Sequence, residues 1–581
     1  MRAGAKGVGF ASSPVLAVRL PSGRSRLLLA LITLAFAALF GRALFLQGIK
    51  TAFLQKQGAQ RYERTMVLPA MRGKITDRNG SVVASSLPVK AIWAEDVKAD
   101  EPKLDQLAQL LAMPASVLRA RLADEEGKFV YLKRQMSNEQ AASVMALHIA
   151  GVHERTEFRR YYPEGETLAH VVGFADVEEI GQEGIERAFN MQLQGHAVRR
   201  RVIKDLFGSV VDDDGEQMRA PFDGQSLELS IDSKIQSTVF ATLKTAVDQF
   251  KAKAGAAVVI DVRTGEVLAL ANIPTYDPND RSRLRGEQLR NRVITDQYEP
   301  GSIMKPFTIA LALNTKRVTP DTPFQTAPGH ITIDGKTIGD SHAHGMLTVR
   351  EIIEKSSNVG TVKVAMPIPP HEMYDFFSSV GFGQVPKIPF PGASAGRVRP
   401  WKSWKPIEQA TMAYGHGISV SLLQMARAYT VFAREGDIIP LTMMRSDQPA
   451  DGTRVISPEV AHQVREMLEL ASGAGGTAPK AQVVGYRVGG KTGTARKQEG
   501  KGYAAGKYIS SYVGMAPVSN PRIIIAVMID EPSGGTYFGG DVAAPAFSQI
   551  AGTALRLLNV SPDAPFKASV VTPAPAVEES M

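Results

Sequence analysis

Ser302 and Lys305 stand three residues apart in Glu299-Pro-Gly-Ser302-Ile-Met-Lys305-Pro306. Pro300 and Gly301 break the preceding structure and Phe307 to Leu313 has helical character. That predicts Ser302 at a helix start, with Lys305 one turn later on the same face. A serine hydroxyl is a poor nucleophile until a neighbouring base takes its proton. An exposed lysine is protonated at neutral pH, whereas one buried beside other cationic groups can give up its proton and serve as that base. The helix start also brings backbone N–H groups and a positive dipole end to a place where negative charge can develop. Alone, such a pair is more often a capping serine and a solvated lysine.

Two further elements change that balance. Ser356-Ser-Asn358 lies in Glu354-Lys-Ser-Ser-Asn-Val-Gly360, between helical runs, where a loop presents hydroxyl and amide groups. A second hydroxyl at Ser356 can relay a proton to a leaving amine, and Asn358 can donate to a peptide carbonyl and accept from an amide. Gly489-Gly-Lys491-Thr492-Gly493-Thr494 enters a strand-rich block, and its glycines let a substrate backbone come close. Lys491 with the hydroxyls of Thr492 and Thr494 can hold a terminal carboxylate. The N–H groups of Thr494 and Ser302 can form an oxyanion hole. Gly-Lys-Thr is shared with phosphate-binding loops, a reading set aside on the position of Gly485.

Other clusters read more plainly. His342-x-His344 shares one face of an extended strand but has no third metal ligand in view, so a polar loop is expected. Asp212-Asp-Asp-Gly215 reads as a solvated turn and not a calcium loop. Trp401 and Trp404, flanking Lys402 and Lys405, read as loop packing.

The elements that must position these residues follow from periodicity. Residues 102–124 read as a helix with one leucine-rich face. Ile231-Asp232-Ser233 carries a cap signal for a helix over Ile235 to Phe250. Ala256 to Asp261 and Glu266 to Ala271, joined by Arg263-Thr-Gly265, read as a hairpin. Further strands are expected at Tyr486 to Gly490, Ser511 to Pro517 and Arg522 to Asp530, with a closing helix at Ala546 to Leu558. A sheet split between the two ends of a domain, with helices between, implies an α/β or α+β fold whose termini meet. Asn79-Gly80 marks a tight turn, and Pro221 to Gly224 a boundary.

A chain of 581 residues holds more than one domain. The formal net charge of +9 is modest, and without a long Lys/Arg run or zinc-finger spacing nothing points to nucleic acid. With no cysteine, disulfides, thiolate metal sites and cysteine nucleophiles are excluded. Near the N-terminus, Leu27 to Phe40 is apolar apart from Thr33, and the run continues through Leu46, long enough to span hydrocarbon as a helix. Arg2, Lys6, Arg19, Arg24 and Arg26 precede it with no acid among them, which favours a cytoplasmic N-terminus. Ala35-Phe-Ala37 resembles a cleavage site, but the chain stays apolar beyond it, so a retained anchor is expected.

Ser-x-x-Lys, Ser-x-Asn and Lys-Thr-Gly, in this order, resemble the triad of the penicillin-binding proteins and serine β-lactamases. Arg72-Gly-x-Ile-x-Asp-Arg-x-Gly80, Arg160-Tyr-Tyr-Pro163 and Gly184-Ile-Glu186 are similar to the pedestal motifs of class B members. Gly41-Arg-Ala-Leu-Phe-Leu-Gln47 and Ala413-Tyr-Gly-His-Gly-Ile-Ser-Val420 resemble segments of the FtsI-type septal transpeptidases. His416 departs from an expected Tyr, and Ala393 from a frequent Glu. The resemblance implies a central antiparallel sheet flanked by helices, an elongated pedestal domain and one transmembrane helix. It implies a cytoplasmic segment over 1–26, an anchor over 27–49, a pedestal over 50–225, a transpeptidase domain over 226–560 and a disordered tail over 561–581. The implied activity is D,D-transpeptidation of stem peptides ending in D-Ala-D-Ala during septal wall synthesis, through a serine acyl-enzyme that β-lactams trap. Catalysis falls to Ser302, Lys305, Ser356, Asn358 and Lys491, and substrate binding to Lys491, Thr492, Gly493 and Thr494. Implied partners are a SEDS-type glycosyltransferase and other division proteins, with the chain in the inner membrane, its catalytic domain periplasmic at the septum. No metal or cofactor is implied. An elongation transpeptidase, a D,D-carboxypeptidase or β-lactamase, a β-lactam sensor and a division scaffold are the alternatives.

Overall fold

A computed structural model describes residues 21–68, 70–124, 129–196, 198–204, 210–213, 222–500 and 502–564. The expected cytoplasmic segment and the expected C-terminal tail fall mostly outside these residues. The chain forms two compact units, one of residues 1–69 with 197–221 and the other of the remainder.

In the first unit, the apolar run forms a helix, Ser22–Leu44, continued by a π-helical turn over Phe45–Ile49. Their most apolar 18-residue stretch has a mean hydropathy of 2.2 and is not buried within the protein, so together they are long and apolar enough to cross a membrane. At 1.5 Å per residue they reach about 42 Å, more than the roughly 30 Å of a hydrocarbon core. The helix begins after Pro21, five residues ahead of the expected start of the anchor. A second helix, Thr51–Tyr62, leads into a three-stranded antiparallel sheet of Glu63–Leu68, Val198–Lys204 and Val210–Asp213. Asp212 and Asp213 therefore lie in a strand, paired with Ile203 and Val202, and not in the turn expected of an acidic run.

Near the start of the second unit a long strand, Val82–Lys98, pairs antiparallel with Ala150–Tyr161 and Val130–Met136. The helix expected over 102–124 is two helices, Glu101–Leu110 and Ala115–Asp124. The break falls where Ala112 turns to φ +52° ahead of Pro114, whose ring cannot continue the ladder. The three pedestal motifs converge on one buried node. Glu186 takes Arg72 Nε on one oxygen and Arg160 Nε on the other, both at 2.6 Å, and Tyr162 reaches the second at 3.4 Å. Arg72 also donates to the carbonyls of Glu179 and Glu186 and to Asn190 Oδ1.

The rest of this unit is built on a five-stranded antiparallel sheet. Its strands are β1 (Ala254–Asp261), β2 (Val267–Ile273), β3 (Gly489–Glu499), β4 (Gly502–Ala516) and β5 (Ile523–Asp530), in the order β2-β1-β5-β4-β3. β1 and β5 pair from Asp261↔Ile523 to Ala254↔Asp530, so the two ends of the domain meet in the middle of the sheet. Both faces are covered, which explains why these strands read as continuous apolar runs. Val258, Ile260, Ile524 and Ala526 face one core with the helix Lys305–Asn314. Val259, Ile525 and Val527 face the other, with the helices Ser233–Gln249 and Ala544–Leu557. Asp232 caps the first of these, accepting from the N–H groups of Lys234 and Ile235. β3 and β4 run much further than expected, meeting in a hairpin with Glu499↔Gly502 near its tip. That leaves β3 as an edge strand.

Candidate active site

Pro300 and Gly301, the latter at φ +58°, set up a 3₁₀ turn over Gly301–Met304, and an α-helix starts at Lys305. A 3₁₀ turn nearly eclipses residues three apart, which puts Ser302 and Lys305 in line at the head of the helix. The turn packs closely on the backbone of Gly415, where no side chain fits: a Cβ there would stand 2.2 Å from the Gly301 carbonyl oxygen.

Ser356 sits between the helices Val349–Glu354 and Asn358–Ala365, in the left-handed region at φ +60°. Such a conformation costs a non-glycine residue roughly 1–2 kcal/mol, and Lys305 meets it there. Lys305 Nζ donates to the Ser356 carbonyl and, at 3.1 Å, to Ser356 Oγ. Asp340 holds the turn from outside, accepting from Ser357 Oγ at 2.6 Å and from the Val359 N–H at 3.0 Å, while Asn358 Nδ2 donates to the Gly339 carbonyl. Ser357 also caps the next helix through the Gly360 N–H.

Lys491, Thr492, Gly493 and Thr494 lie on β3, the edge strand beside the Ser302 turn. A Cβ on Gly493 would come within 2.8 Å of the Pro300 carbonyl oxygen and 2.6 Å of Ser511 Oγ, so this glycine is what allows the close approach. Lys491 Nζ donates to Thr492 Oγ1 at 3.1 Å and to Thr477 Oγ1 at 3.4 Å, and the two hydroxyls meet at 2.7 Å. A hydroxyl has one proton to donate. If Thr477 donates to Thr492, the proton of Thr492 is left to point at a ligand. Thr494 Oγ1 accepts from the Gly539 N–H at 3.0 Å.

The three segments thus come together, and the side chains expected to do the chemistry are at most 4% exposed, so their charges act with little water to screen them. The letters Gly485-x-x-x-x-Gly490-Lys491-Thr492 do satisfy a phosphate-loop pattern, so spacing does not exclude that reading. The fold does. Lys491 is in mid-strand with no helix after it, and no nest of N–H groups can wrap a phosphate there. Sequence reasoning missed Thr477, Asp340 and Glu299, which sit in turns where no periodicity marks them. Glu299 was nonetheless adjacent to the Ser302 motif.

His416, between Tyr414 at 5.0 Å and Tyr503 at 6.3 Å, is held down to about 4 by burial first and then by the charges of Lys305 and Arg496. His170 is also held to about 4, by burial and the Arg292 charge, against a bond to the Gln288 carbonyl. Both gain a proton near 6.5 when unfolded, so between about 6.5 and about 4 the unfolded chain binds more protons. Stability from these groups is full above that window and is lost as pH falls through it. Burial raises Glu179, Glu183 and Glu299, which act in the opposite sense. The expected result is therefore a difference: His170→Phe with His416→Tyr flattens the fall in melting temperature between about pH 7 and about pH 5. An unchanged slope would count against neutral buried imidazoles.

A family model described as the penicillin binding protein transpeptidase domain matches residues 255–552, and one described as the penicillin-binding protein dimerisation domain matches residues 67–229. The chain is 41% identical over 555 residues to the probable peptidoglycan D,D-transpeptidase PenA of Neisseria meningitidis, covering 95% of each. It is 39% identical over 551 residues to the peptidoglycan D,D-transpeptidase FtsI of Escherichia coli, covering 94% of this chain and 93% of the relative. Among solved structures, the TP domain of penicillin-binding protein 3 from Burkholderia pseudomallei is 55% identical, with a TM-score of 0.54 over 58% of this chain and 98% of that one. A peptidoglycan synthetase from Bifidobacterium adolescentis is 25% identical, with a TM-score of 0.68 over 89% and 100%.

Proposed function

The chain belongs to the class B penicillin-binding proteins, the peptidoglycan D,D-transpeptidases of FtsI and PenA type, and from that premise we propose that Ser302 takes the acyl group. Ser302 Oγ attacks the penultimate D-Ala carbonyl of a donor stem while Lys305 takes its proton. Burial disfavours the charged form of an amine, which suits a lysine to that task. The N–H groups of Ser302 and Thr494 hold the oxyanion. As it collapses, Ser356 protonates the leaving amine of the terminal D-Ala, whose carboxylate lies against Lys491, Thr492 and Thr494, with Gly493 giving it room. Asn358 binds the donor backbone. An amine from a neighbouring stem then attacks the ester, forming the cross-link and returning the proton and the free hydroxyl to Ser302.

The observation that carries this reading is the 3.1 Å approach of Lys305 Nζ to Ser356 Oγ in a buried site one turn from Ser302. It links the base of the first step to the acid of the second. β-Lactams would mimic the donor and leave a long-lived ester. Mass spectrometry of the protein after treatment with a penicillin is expected to find the adduct on Ser302; an adduct elsewhere, or none, would remove the assignment.

The proposed domains are an anchor at 27–49, a pedestal at 50–225 and a transpeptidase domain at 226–560. With the N-terminus cytoplasmic, the catalytic domain faces the wall, and a SEDS-type glycosyltransferase would meet the anchor and pedestal. Segments such as Gly41 to Gln47 and Ala413 to Val420 favour the septum as the site of action. Depletion is expected to give filaments; rounded cells would assign the protein to elongation.

A further inference from the structure

Glu299 lies three residues ahead of Ser302, in a segment already fixed by its backbone. Tyr298 and Val420 exchange backbone hydrogen bonds of 3.0 Å, and the Gly301 N–H donates to the Gly415 carbonyl at 3.2 Å. The Glu299 side chain adds a third element to this pair. Its Oε1 accepts from the Gly417 N–H at 2.8 Å and from Gln498 Nε2 at 2.7 Å, and its Oε2 accepts from the Tyr503 hydroxyl at 3.0 Å. Gln498 and Tyr503 face each other across the β3–β4 hairpin. One carboxylate therefore joins the nucleophile's turn, the Gly415–Gly417 loop and the hairpin. It is 5% exposed, and burial raises its pKa against the pull of those three bonds. A buried carboxylate held by neutral donors is a costly way merely to pack a turn.

What these bonds can secure is spacing. The Ser302 turn lies against the open edge of β3, where a Cβ on Gly301 would stand 3.6 Å from the Thr494 carbonyl oxygen. Gln498 is four residues beyond Thr494 on the same strand, past an irregularity between Arg496 and Gln498 that loosens the register with β4. We propose that Glu299 is a positioning residue that sets the separation of the Ser302 and Thr494 N–H groups by clamping the far end of β3 to the turn carrying Ser302. The inference rests on the reading that Ser302 forms the acyl-enzyme. Oxyanion donors act on the transition state more than on the bound ground state, so the clamp should act on the acylation step and leave binding alone.

The test is stopped-flow acylation of the detergent-solubilised full-length protein by a fluorescent penicillin, separating initial affinity from the limiting acylation rate. Labelling of the wild type at Ser302 secures the underlying reading; its absence would sink that reading, not the clamp. Glu299→Ala is expected to slow the limiting rate about 10- to 100-fold, less than loss of a whole oxyanion donor, with affinity nearly unchanged. Glu299→Gln should recover most of the rate, because its amide oxygen can accept from Gly417 and Gln498 while its NH₂ meets the Tyr503 oxygen. Gln498→Ala with Tyr503→Phe attacks the clamp from the hairpin and should slow acylation as well. A folded Glu299→Ala protein that acylates at the wild-type rate, or loses affinity alone, overturns the proposal. So does Glu299→Gln being as slow as Glu299→Ala. Should Glu299→Ala not fold, a wild-type rate in the hairpin double variant overturns it.

Discussion

Lys305→Met is expected to slow acylation by a β-lactam about 1000-fold, within the range that a positioned general base contributes. That is about 4 kcal/mol on the barrier. Methionine keeps the unbranched shape that fills the buried channel at the head of the helix Lys305–Asn314, but it carries no group able to take a proton from Ser302. Lys305 is wholly buried and its Nζ donates to both the carbonyl and the hydroxyl of Ser356. The same substitution therefore also removes the donor that meets Ser356 in its left-handed conformation. A buried carbonyl losing its donor costs about 1–3 kcal/mol, so the melting temperature should fall modestly while the protein stays folded. Intact-mass spectrometry over time, with circular dichroism as the control, measures both. Acylation within tenfold of wild type would show that the proton leaves Ser302 by another route.

Glu186→Gln is expected to destabilise the pedestal by about 3–5 kcal/mol, the cost of breaking a buried ion pair from one side. Its carboxylate receives Arg72 on one oxygen and Arg160 on the other, with all three side chains at most 2% exposed. The amide can satisfy one guanidinium with its oxygen but turns an NH₂ toward the other. Glu179 is near enough to feel both arginines, yet its own hydrogen bond is to Ser86, so it cannot take over. The prediction is a large drop in the melting transition of the full-length protein. Penicillin labelling at low temperature should survive, because the node lies in the pedestal and not among the residues around Ser302. Melting within a degree or two of wild type would mean that the neutral contacts of Arg72 suffice.

Much of this architecture was legible because burial on both faces writes itself into the letters. The runs at Ala256 to Asp261 and Arg522 to Asp530 read as strands from apolar content alone, and the expected meeting of the domain's ends takes the form of their direct pairing. Ser302, Ser356 and Lys491 were singled out by their chemistry, and the fold brings their segments together. The hairpin beyond Thr494 was not legible: Arg496-Lys-Gln-Glu-Gly-Lys-Gly502 is polar and glycine-bearing as an exposed turn would be, and the pairing partner decides the matter. The single helix expected over 102–124 failed at Pro114, a breaker present in the sequence but outweighed by the leucine pattern. Thr477 and Asp340 carry no local signal, since what they do depends on which hydroxyl or amide stands opposite.

The order of strands in the catalytic sheet has a consequence for how the protein is made. The turn bearing Ser302, its lysine and the Ser356 loop are all synthesised long before β3, β4 and β5. β1 has its partner β2 close behind it, but must wait more than 250 residues for β5. Such long-range closure is slow, and a chain emerging from its N-terminus holds the proposed nucleophile without the proposed oxyanion hole until the last strands arrive. A chain stopped before Gly489 would thus carry Ser302 without β3, and so without the N–H of Thr494 that the proposal assigns to the oxyanion. On the proposed mechanism, acyl transfer therefore waits on strands that the chain supplies last.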